Sequence, residues 1–590
     1  MAGQEPIAEL TRPELQAALD RVLRARVFNS SPRMSQFLRF VVEAELDGRG
    51  TELKETTVAM EVFARGSDFD QRIDTIVRVQ AVRLRSKLVE HYAADGALDE
   101  VRIDLPSGGY RPGFRRIAVA PSRATKTVPD KSIAVLPFAD MSPAHDQEYL
   151  GDGIAEELLH LLARAPEMRV AARTSSFQFK NRYLDVRQIG ESLGVEFILE
   201  GSVRKWDNRI RVTAQLLNAQ TGFHMWSEAY DRTITDVLSM QDELAAAILS
   251  RLLNQSGPPD TRPRTGQPVY DLCLMARHAF NQQTPVGFLR AKDLFGEALQ
   301  GDPQYAPAWT GLAMTLAFMA CFGMGPPCDL FPEALQASLR ALELSPQLPE
   351  GHLAFGLSSL FDGFDFATAY DAYRAALQLD PSSGLAHDWL ALAHGCGGNF
   401  AEARKHSLAA RRLDPLSPTP AENEGLVVYL SRQHEESIEL YSRLLERFPG
   451  YPLAWMGVAW NRLALGQPVE AVAATEQAKA VWGSQPFVLG TLGLALARAG
   501  RLEDAEQCLR SLREAGKSGY VSSWEIAIVL LGLGDRDGAL TALEQAWAER
   551  AWWMVFLQVN PVVDSLRDEP RFQALASRLT PLQPQQQLSH

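Results

Sequence analysis

The 590-residue chain predicts a multidomain, mostly α protein: a helix-and-hairpin unit, then a small α/β unit, then an α-solenoid. Three observations predict it. Five Lys/Arg against one acidic residue fall between Arg72 and Lys87 on one amphipathic stretch. Strand and helix patterns alternate from Ser132 to Leu253. Helical blocks then end at Asp302-Pro303, Ser345-Pro346, Asp380-Pro381, Asp414-Pro415 and Phe448-Pro449, and from Pro346 the spacings are 35, 34 and 34 residues. The length exceeds what one core supports, and 46% hydrophobic with 22% charged residues is ordinary for a globular protein. Net charge is −13, yet residues 1–130 hold 20 Lys/Arg and 19 Asp/Glu, so that part carries +1 and the remainder −14. Charge is segregated along the chain, which leaves nucleic-acid binding open for the N-terminal part only.

The first unit spans residues 1–115. Thr11, Pro13 and Glu14 give a capping-box start to a helix over 11–26 with Leu15, Leu19, Val22 and Leu23 on one face. SQFLRFVVEAEL and LKETTVAMEVF are two further helices, parted by the turn signal Asp47-Gly48. In the helix from Arg72 to Tyr92, Ile73, Val77, Ala81, Leu84 and Leu88 form a buried stripe. Thr75, Arg78, Val79, Val82, Arg83 and Ser86 point away from it, with Arg85 on the flank. VRIDLPSGGYRPGF follows as a short hairpin turned by Pro106, Gly108 and Gly109. Helix plus hairpin reads as a winged helix.

LRSKL in that helix and GGYRPGF in the hairpin resemble the OmpR/PhoB-type winged-helix family over residues 28–115. A similar order of FNSSPRMSQFLRFVVEAEL, LKETTVAMEVFARGSDFD and this helix occurs in a group of bacterial regulator-like proteins. The resemblance implies a helix that enters the major groove of double-stranded DNA and a wing beside it. Arg78, Arg83 and Arg85 would then contact bases or phosphates, Val82 and Ser86 would face the groove, and Arg102 and Arg111 would steady the wing, where Arg115 and Arg116 also cluster. The plainer alternative is a solvated helix face, with Asp74 and Arg78 as a local i,i+4 pair.

Residues 116–131 read as a linker. In 132–253, SIAVLPF and MRVAART are strands, GDGIAEELLHLLAR and DVRQIGESLG are helices, and VEFILEGSVRK, NRIRVTAQLLN and HMWSEAY form an antiparallel meander turned at Asp207-Asn208 and Thr221-Gly222. DVLSMQDELAAAILSRL closes the unit. The phrases AVLPF, GDGIAEEL and GVEFILEGSVR resemble the amino-terminal domain of TolB. Residues 254–268, rich in Pro, are a second linker.

Residues 269–580 form the solenoid. A 34-residue period with small and aromatic residues at fixed places, among them Ala291, Phe295 and Ala298, then Ala369, Tyr373 and Ala376, resembles the tetratricopeptide repeat. About eight repeats reach residue 550. The uncharged stretch Pro303 to Cys328 fits a repeat helix carrying Trp309 and Leu312, with an insertion near Gly323 to Cys328, better than a membrane span. AWWMVFLQVNPVVDSLRDEPRFQALASRL departs from the period and resembles the closing segment of such arrays, expected to cover an exposed apolar end. The tail 581–590 reads as disordered.

Chemistry was sought along the whole chain. Gly516-Lys517-Ser518 lacks the earlier glycine of a phosphate loop, and His434-Glu435 lacks the second histidine of a zinc-protease helix. His387, His394 and Cys396 lack a fourth ligand. Gly151 and Gly153 read as a plain helix start, an anion site at that N-terminus being the alternative. The five cysteines, Cys273, Cys321, Cys328, Cys396 and Cys508, fit reduced core thiols. The N-terminus has no apolar run like that of a signal peptide. The expectation is therefore a non-enzymatic, cytoplasmic transcriptional regulator without cofactor or metal. It would bind DNA through its winged helix, gaining affinity as a homodimer, and hold a protein or peptide in the concave face of the solenoid. The alternative is a repeat-based interaction scaffold that does not touch DNA.

Overall fold

Among the described residues, four α-helices and a hairpin form the first of two units, residues 1–127: α1 (Arg12–Arg24), α2 (Pro32–Leu46), α3 (Glu55–Phe63), α4 (Ile76–Ala93), β1 (Val101–Asp104) and β2 (Gly113–Arg116). The structure is a computed structural model that describes residues 12–24, 28, 32–63, 76–93, 101–106, 109–116, 131–165, 167–182, 184–233, 237–253 and 265–581. Leu19 and Val22 of α1, Phe37 and Val41 of α2, Val58 of α3 and Val101 of β1 share a core with α4. The stripe expected on α4 is buried at Val77, Ala81, Leu84 and Leu88, because helical spacing puts these positions on one side. Ile73 and Thr75 of that reading, and the capping residue Thr11, lie outside the described residues. Gly48, at φ +76, reverses the chain after α2, a conformation that glycine adopts at little cost. β1 and β2 pair antiparallel from Val101↔Arg116 to Asp104↔Gly113.

The second unit, residues 128–590, opens on β3 (Ser132–Val135), β4 (Ala139–Asp140), α5 (Glu148–Ala163), β5 (Arg169–Val170), α6 (Arg173–Ser176), α7 (Val186–Leu193), β6 (Phe197–Trp206), β7 (Arg209–Asn218), β8 (His224–Thr233) and α8 (Val237–Leu253). The sheet runs β5-β3-β6-β7-β8 with β4 on β6, parallel at β5, β3 and β6 and antiparallel onward. Alternation decides its faces. Ile210, Val212, Ala214 and Leu216 turn toward Leu158 and Leu162 of α5 and Leu244 and Ile248 of α8. Ala134 and Ile198 turn the other way, onto Ile189 and Leu193 of α7. The expected turns are present, with Asp207 at φ 51 and Gly222 at φ 74. MRVAART is strand only at Arg169–Val170, after which α6 begins.

Sixteen helices follow as eight antiparallel pairs: α9 (Gln267–Asn281) with α10 (Pro285–Gly301), α11 (Ala306–Cys321) with α12 (Pro327–Leu344), α13 (Pro349–Asp362) with α14 (Phe366–Leu379), α15 (Gly384–Cys396) with α16 (Phe400–Leu413), α17 (Pro418–Leu430) with α18 (His434–Arg447), α19 (Pro452–Ala464) with α20 (Pro468–Trp482), α21 (Pro486–Arg498) with α22 (Leu502–Ala515), and α23 (Ser523–Gly532) with α24 (Arg536–Ala548). Proline at the first or second position starts many of them, where a missing N–H costs nothing. Glycine allows the closest approaches: a Cβ on Gly425 or Gly457 would come within 2.7 or 2.2 Å of the buried Tyr441 ring. Among the described residues no helix is long and apolar enough to cross a membrane, and the uncharged stretch forms α11 and the turn after it.

The first helices of successive pairs touch one another, whereas no two successive second helices pack comparably. A stack of pairs that is closer on one side curves toward that side, so α11, α13, α15, α17, α19, α21 and α23 line the inner face. The segment after α24 packs on that last helix, Arg571 pairing with Glu544 and Glu569 with Arg536 at 2.8 Å each, and it does more than close the end of the array. It turns into this inner groove. A 3-10 turn (Trp552–Phe556), a second one (Pro561–Leu566) and α25 (Pro570–Ala576) bring Met554, Val555, Phe556, Leu557 and Leu566 to complete burial in the main solenoid core. Each such side chain is worth about 1.5–3 kcal/mol when buried, and the groove's own aromatic walls supply the cover.

The α/β layer is tied to the solenoid at several points, among them His160 with Glu350 at 3.7 Å, and two junctions are buried. Tyr270 and Leu274 of α9 enter the sheet core, and a Cβ on Gly153 would come within 2.6 Å of Leu274 while one on Gly151 would meet the Phe138 carbonyl at 2.4 Å. Gly151 ends the first turn of α5 with its N–H bonded to the Gln147 carbonyl at 3.2 Å, and Gly153 lies deeper in the helix, so both glycines serve packing. The second junction uses Asp414, in the turn between α16 and α17. It accepts hydrogen bonds from Thr174 and, at 2.5 Å, from Ser175, while Leu416 N–H donates to Ser175 Oγ at 2.8 Å. Leu416 itself fills the α7 face of the sheet.

Candidate functional site

Of the residues expected to meet DNA, the structure gives most of the described arginines another task. Arg85 donates from Nε to the Leu105 carbonyl at 2.8 Å and from one Nη to the carbonyls of Pro106 and Gly109 at 2.9 and 3.0 Å. Its fork is matched to backbone oxygens on both sides of the hairpin bend, so it fastens the hairpin to α4 and is not held out for a base. Arg78 pairs at 3.0 Å with Glu55 of α3, a carboxylate only 9% exposed. The Asp74 partner suggested by spacing lies outside the described residues. Arg111 makes two hydrogen bonds to Glu45, at 2.8 and 2.6 Å, and this carboxylate raises its pKa.

Arg83 is exposed and has no hydrogen bond or ion pair among the described residues. Arg102 is half-buried on β1. The side chains of Val82, Ser86, Arg115 and Arg116 are outside what the structure describes. Helix periodicity could place these positions on an outward face, but it carries no information on partners 23 to 66 residues away.

The solenoid groove is the second candidate site. Trp552 stacks on Phe361 at 4.3 Å and meets Trp389 edge-on at 6.5 Å. Trp553 lies 5.1 Å from Trp460, 6.2 Å from Phe487 and 5.9 Å from Trp524. Asn560 accepts from Tyr429 at 3.3 Å, Arg432 makes two bonds to Asp564 at 2.7 and 2.9 Å, and Arg550 pairs with Asp362. The chain's own residues thus take the positions in which an external peptide was expected.

Buried polar groups elsewhere in the repeats were not apparent from the sequence. His387 and His394, seven residues apart and therefore on one face of α15, are joined by His406 of α16: the His387 and His406 Nδ1 atoms are 2.8 Å apart, and the His394 and His406 rings stack at 5.6 Å. Burial holds His394 and His406 down to about 4, so both imidazoles are neutral at neutral pH. Among the described residues no group of three or more His, Cys, Asp or Glu is arranged to hold a metal. Burial pushes Asp388 up to about 7 and Glu422 up to about 8, each with a neighbouring carboxylate adding to the effect. Asp388 is the one carboxylate of α15, and Glu422 shares with Glu424 the first half of a helix whose second half is apolar. Cys273, Cys396 and Cys508 are buried, and all five cysteines are unpaired. The Lys517 of the weak phosphate-loop match pairs with Glu514 on a turn after α22.

A tetratricopeptide-repeat family model matches residues 423–485 and 491–553. The chain is 34% identical over 233 residues to a "Putative adenylate cyclase 3" of Rhizobium meliloti (strain 1021), an alignment covering 38% of this chain and 40% of that relative's length. Solved structures with similar helical arrays include yeast Tom70, at 18% identity over 54% of this chain and 69% of that one with a TM-score of 0.36. A tetratricopeptide repeat protein from Parabacteroides merdae is another, at 14% identity over 45% of this chain and 100% of that one with a TM-score of 0.34. Those scores are too low to place the whole chain in a structural family, and the assignment rests on the sequence match. The helical pairs of the C-terminal region are tetratricopeptide repeats, an architecture suited to protein–protein interaction.

Proposed function

We propose that the protein is a DNA-binding regulator that recruits a protein partner through its repeats, acting by binding rather than by catalysis. The observation that carries this is the Arg85 clamp. It makes α4 and the β1–β2 hairpin one stiff surface, as a winged-helix reader requires, and beside it Arg83 stands exposed on α4. With Arg78 and Arg111 committed to Glu55 and Glu45, the reading narrows the DNA contacts to Arg83 and the hairpin flank, with Arg102 as support. Phosphate contacts by few cations predict weak binding with a shallow salt slope, both of which grow if two copies act together.

The test is fluorescence anisotropy of the full chain against duplex DNA from upstream of its own gene cluster, across a salt series, beside Arg83→Ala. Saturable binding that falls with salt and drops several-fold in the variant supports the reading. A folded chain that binds no duplex at low salt removes DNA from the function. The second reading, an interaction scaffold without DNA binding, is favoured by the two arginine–glutamate pairs, which neutralise charge on the surface that would face phosphate.

A further inference from the structure

The occupant of the groove is unlike the repeats that hold it. Residues 550–581 leave the 34-residue period and place two adjacent tryptophans in different parts of the groove, Trp552 near α13 and α15 and Trp553 among α19, α21 and α23. Partly exposed ion pairs, Arg550 with Asp362 and Arg432 with Asp564, flank these anchors. Aromatic anchors in desolvated pockets with polar pairs at the rim are the anatomy of a peptide interface. The fit is also incomplete. Glu525, 4% exposed, lines the small cavity beneath Trp553 and Asn560, and its Oε2 has no hydrogen-bond partner. Burial holds this acid in its neutral form, and its unpartnered oxygen is a hydrogen-bonding position beside Trp553 that the resident segment leaves unused.

We propose that the inner groove over α13–α23 is a peptide-binding site whose resident ligand is the chain's own residues 550–581. An external peptide of the same chemistry, adjacent tryptophans preceded by arginine, enters only by replacing it. The tether keeps the resident segment at high effective concentration, so the intact chain is closed to such a peptide and a chain cut before the segment is open to it. This inference rests on the repeats being the partner-binding part of the protein; DNA binding is independent of it, so loss of one in the laboratory leaves the other to be read separately.

The experiment uses the full chain with a protease site placed between Glu549 and Arg550, cut after folding, and a fluorescent synthetic peptide of residues 550–581. The intact chain takes up no peptide. The cut chain exchanges its fragment for the peptide at one per molecule, and a peptide carrying Trp553→Ala binds at least about 30-fold more weakly, the scale of an aromatic hot spot. Three outcomes overturn the proposal: the intact chain binds the peptide without releasing its own segment, the cut chain unfolds as the fragment leaves, or the cut chain stays folded and takes up no peptide. Circular dichroism on the cut, fragment-free protein separates the last two.

Discussion

The hairpin of the first unit and the closing segment of the second are both pieces that stand outside a regular helical array and are fastened to helices, and they are fastened by opposite physics. The hairpin is held at its bend by one guanidinium reaching three carbonyls, at a half-exposed site. The closing segment is held by burial: Trp553 sits among three aromatic rings of the repeats, and Leu557 is wholly enclosed. Hydrogen bonds give direction at modest net energy, which suits a surface that must be presented in one orientation. Apolar burial gives energy with little direction, which suits closing a long groove. The difference teaches where each part is vulnerable.

The largest break is expected at Trp553. Trp553→Ala leaves a cavity between α19, α21 and α23 and should destabilise the second unit by about 3–5 kcal/mol, read as a lowered denaturation midpoint; a loss under about 1 kcal/mol would mean that the segment is a surface strap. Next comes Arg85→Ala, expected to cost about 1.5–3 kcal/mol for lost charge-assisted bonds to carbonyls. The readout is faster amide exchange in β1 and β2 while the second unit is unchanged. Arg85→Lys should fail to restore protection, because a point charge cannot span three oxygens.

A pH series sharpens the contrast, since the solenoid core contains acids and the hairpin clamp does not depend on one. Glu422 is raised from 4.5 to about 8, so the folded state binds its proton more tightly than the unfolded state. Its contribution is therefore best at low pH and is lost progressively as pH rises from about 4.5 to about 8. Glu422→Gln should flatten that slope, with its greatest relative stabilisation above pH 8; an unchanged slope would show that another group titrates. The smallest effect is expected at the groove rim, where Arg432→Ala removes an ion pair with both partners near half exposure and should cost under about 1 kcal/mol.

How much of this was legible in the sequence follows the same division. The buried stripe of α4, the alternation in β7, the turn residues Asp207 and Gly222 and the period that sets the repeats are local patterns. A residue's neighbours at i+2, i+4 or i+34 are enough to write them. The close packing at Gly151 and Gly153 was not legible, because what a glycine admits is a surface from elsewhere in the chain.

What the sequence by itself determined is the set of elements and their faces: backbone geometry imposes periods of 2.0 and 3.6 that a residue pattern must match to bury its apolar side. What only the tertiary structure decided is which polar groups are spent. Arg78 on Glu55, Arg85 on the hairpin carbonyls, Asp414 on Thr174 and Ser175, and the chain's own tryptophans in the solenoid groove are all pairings between distant segments. The physical reason is that charge and hydrogen-bond partners are chosen by proximity in space, and no local repeat along the chain encodes which segments curvature will bring together.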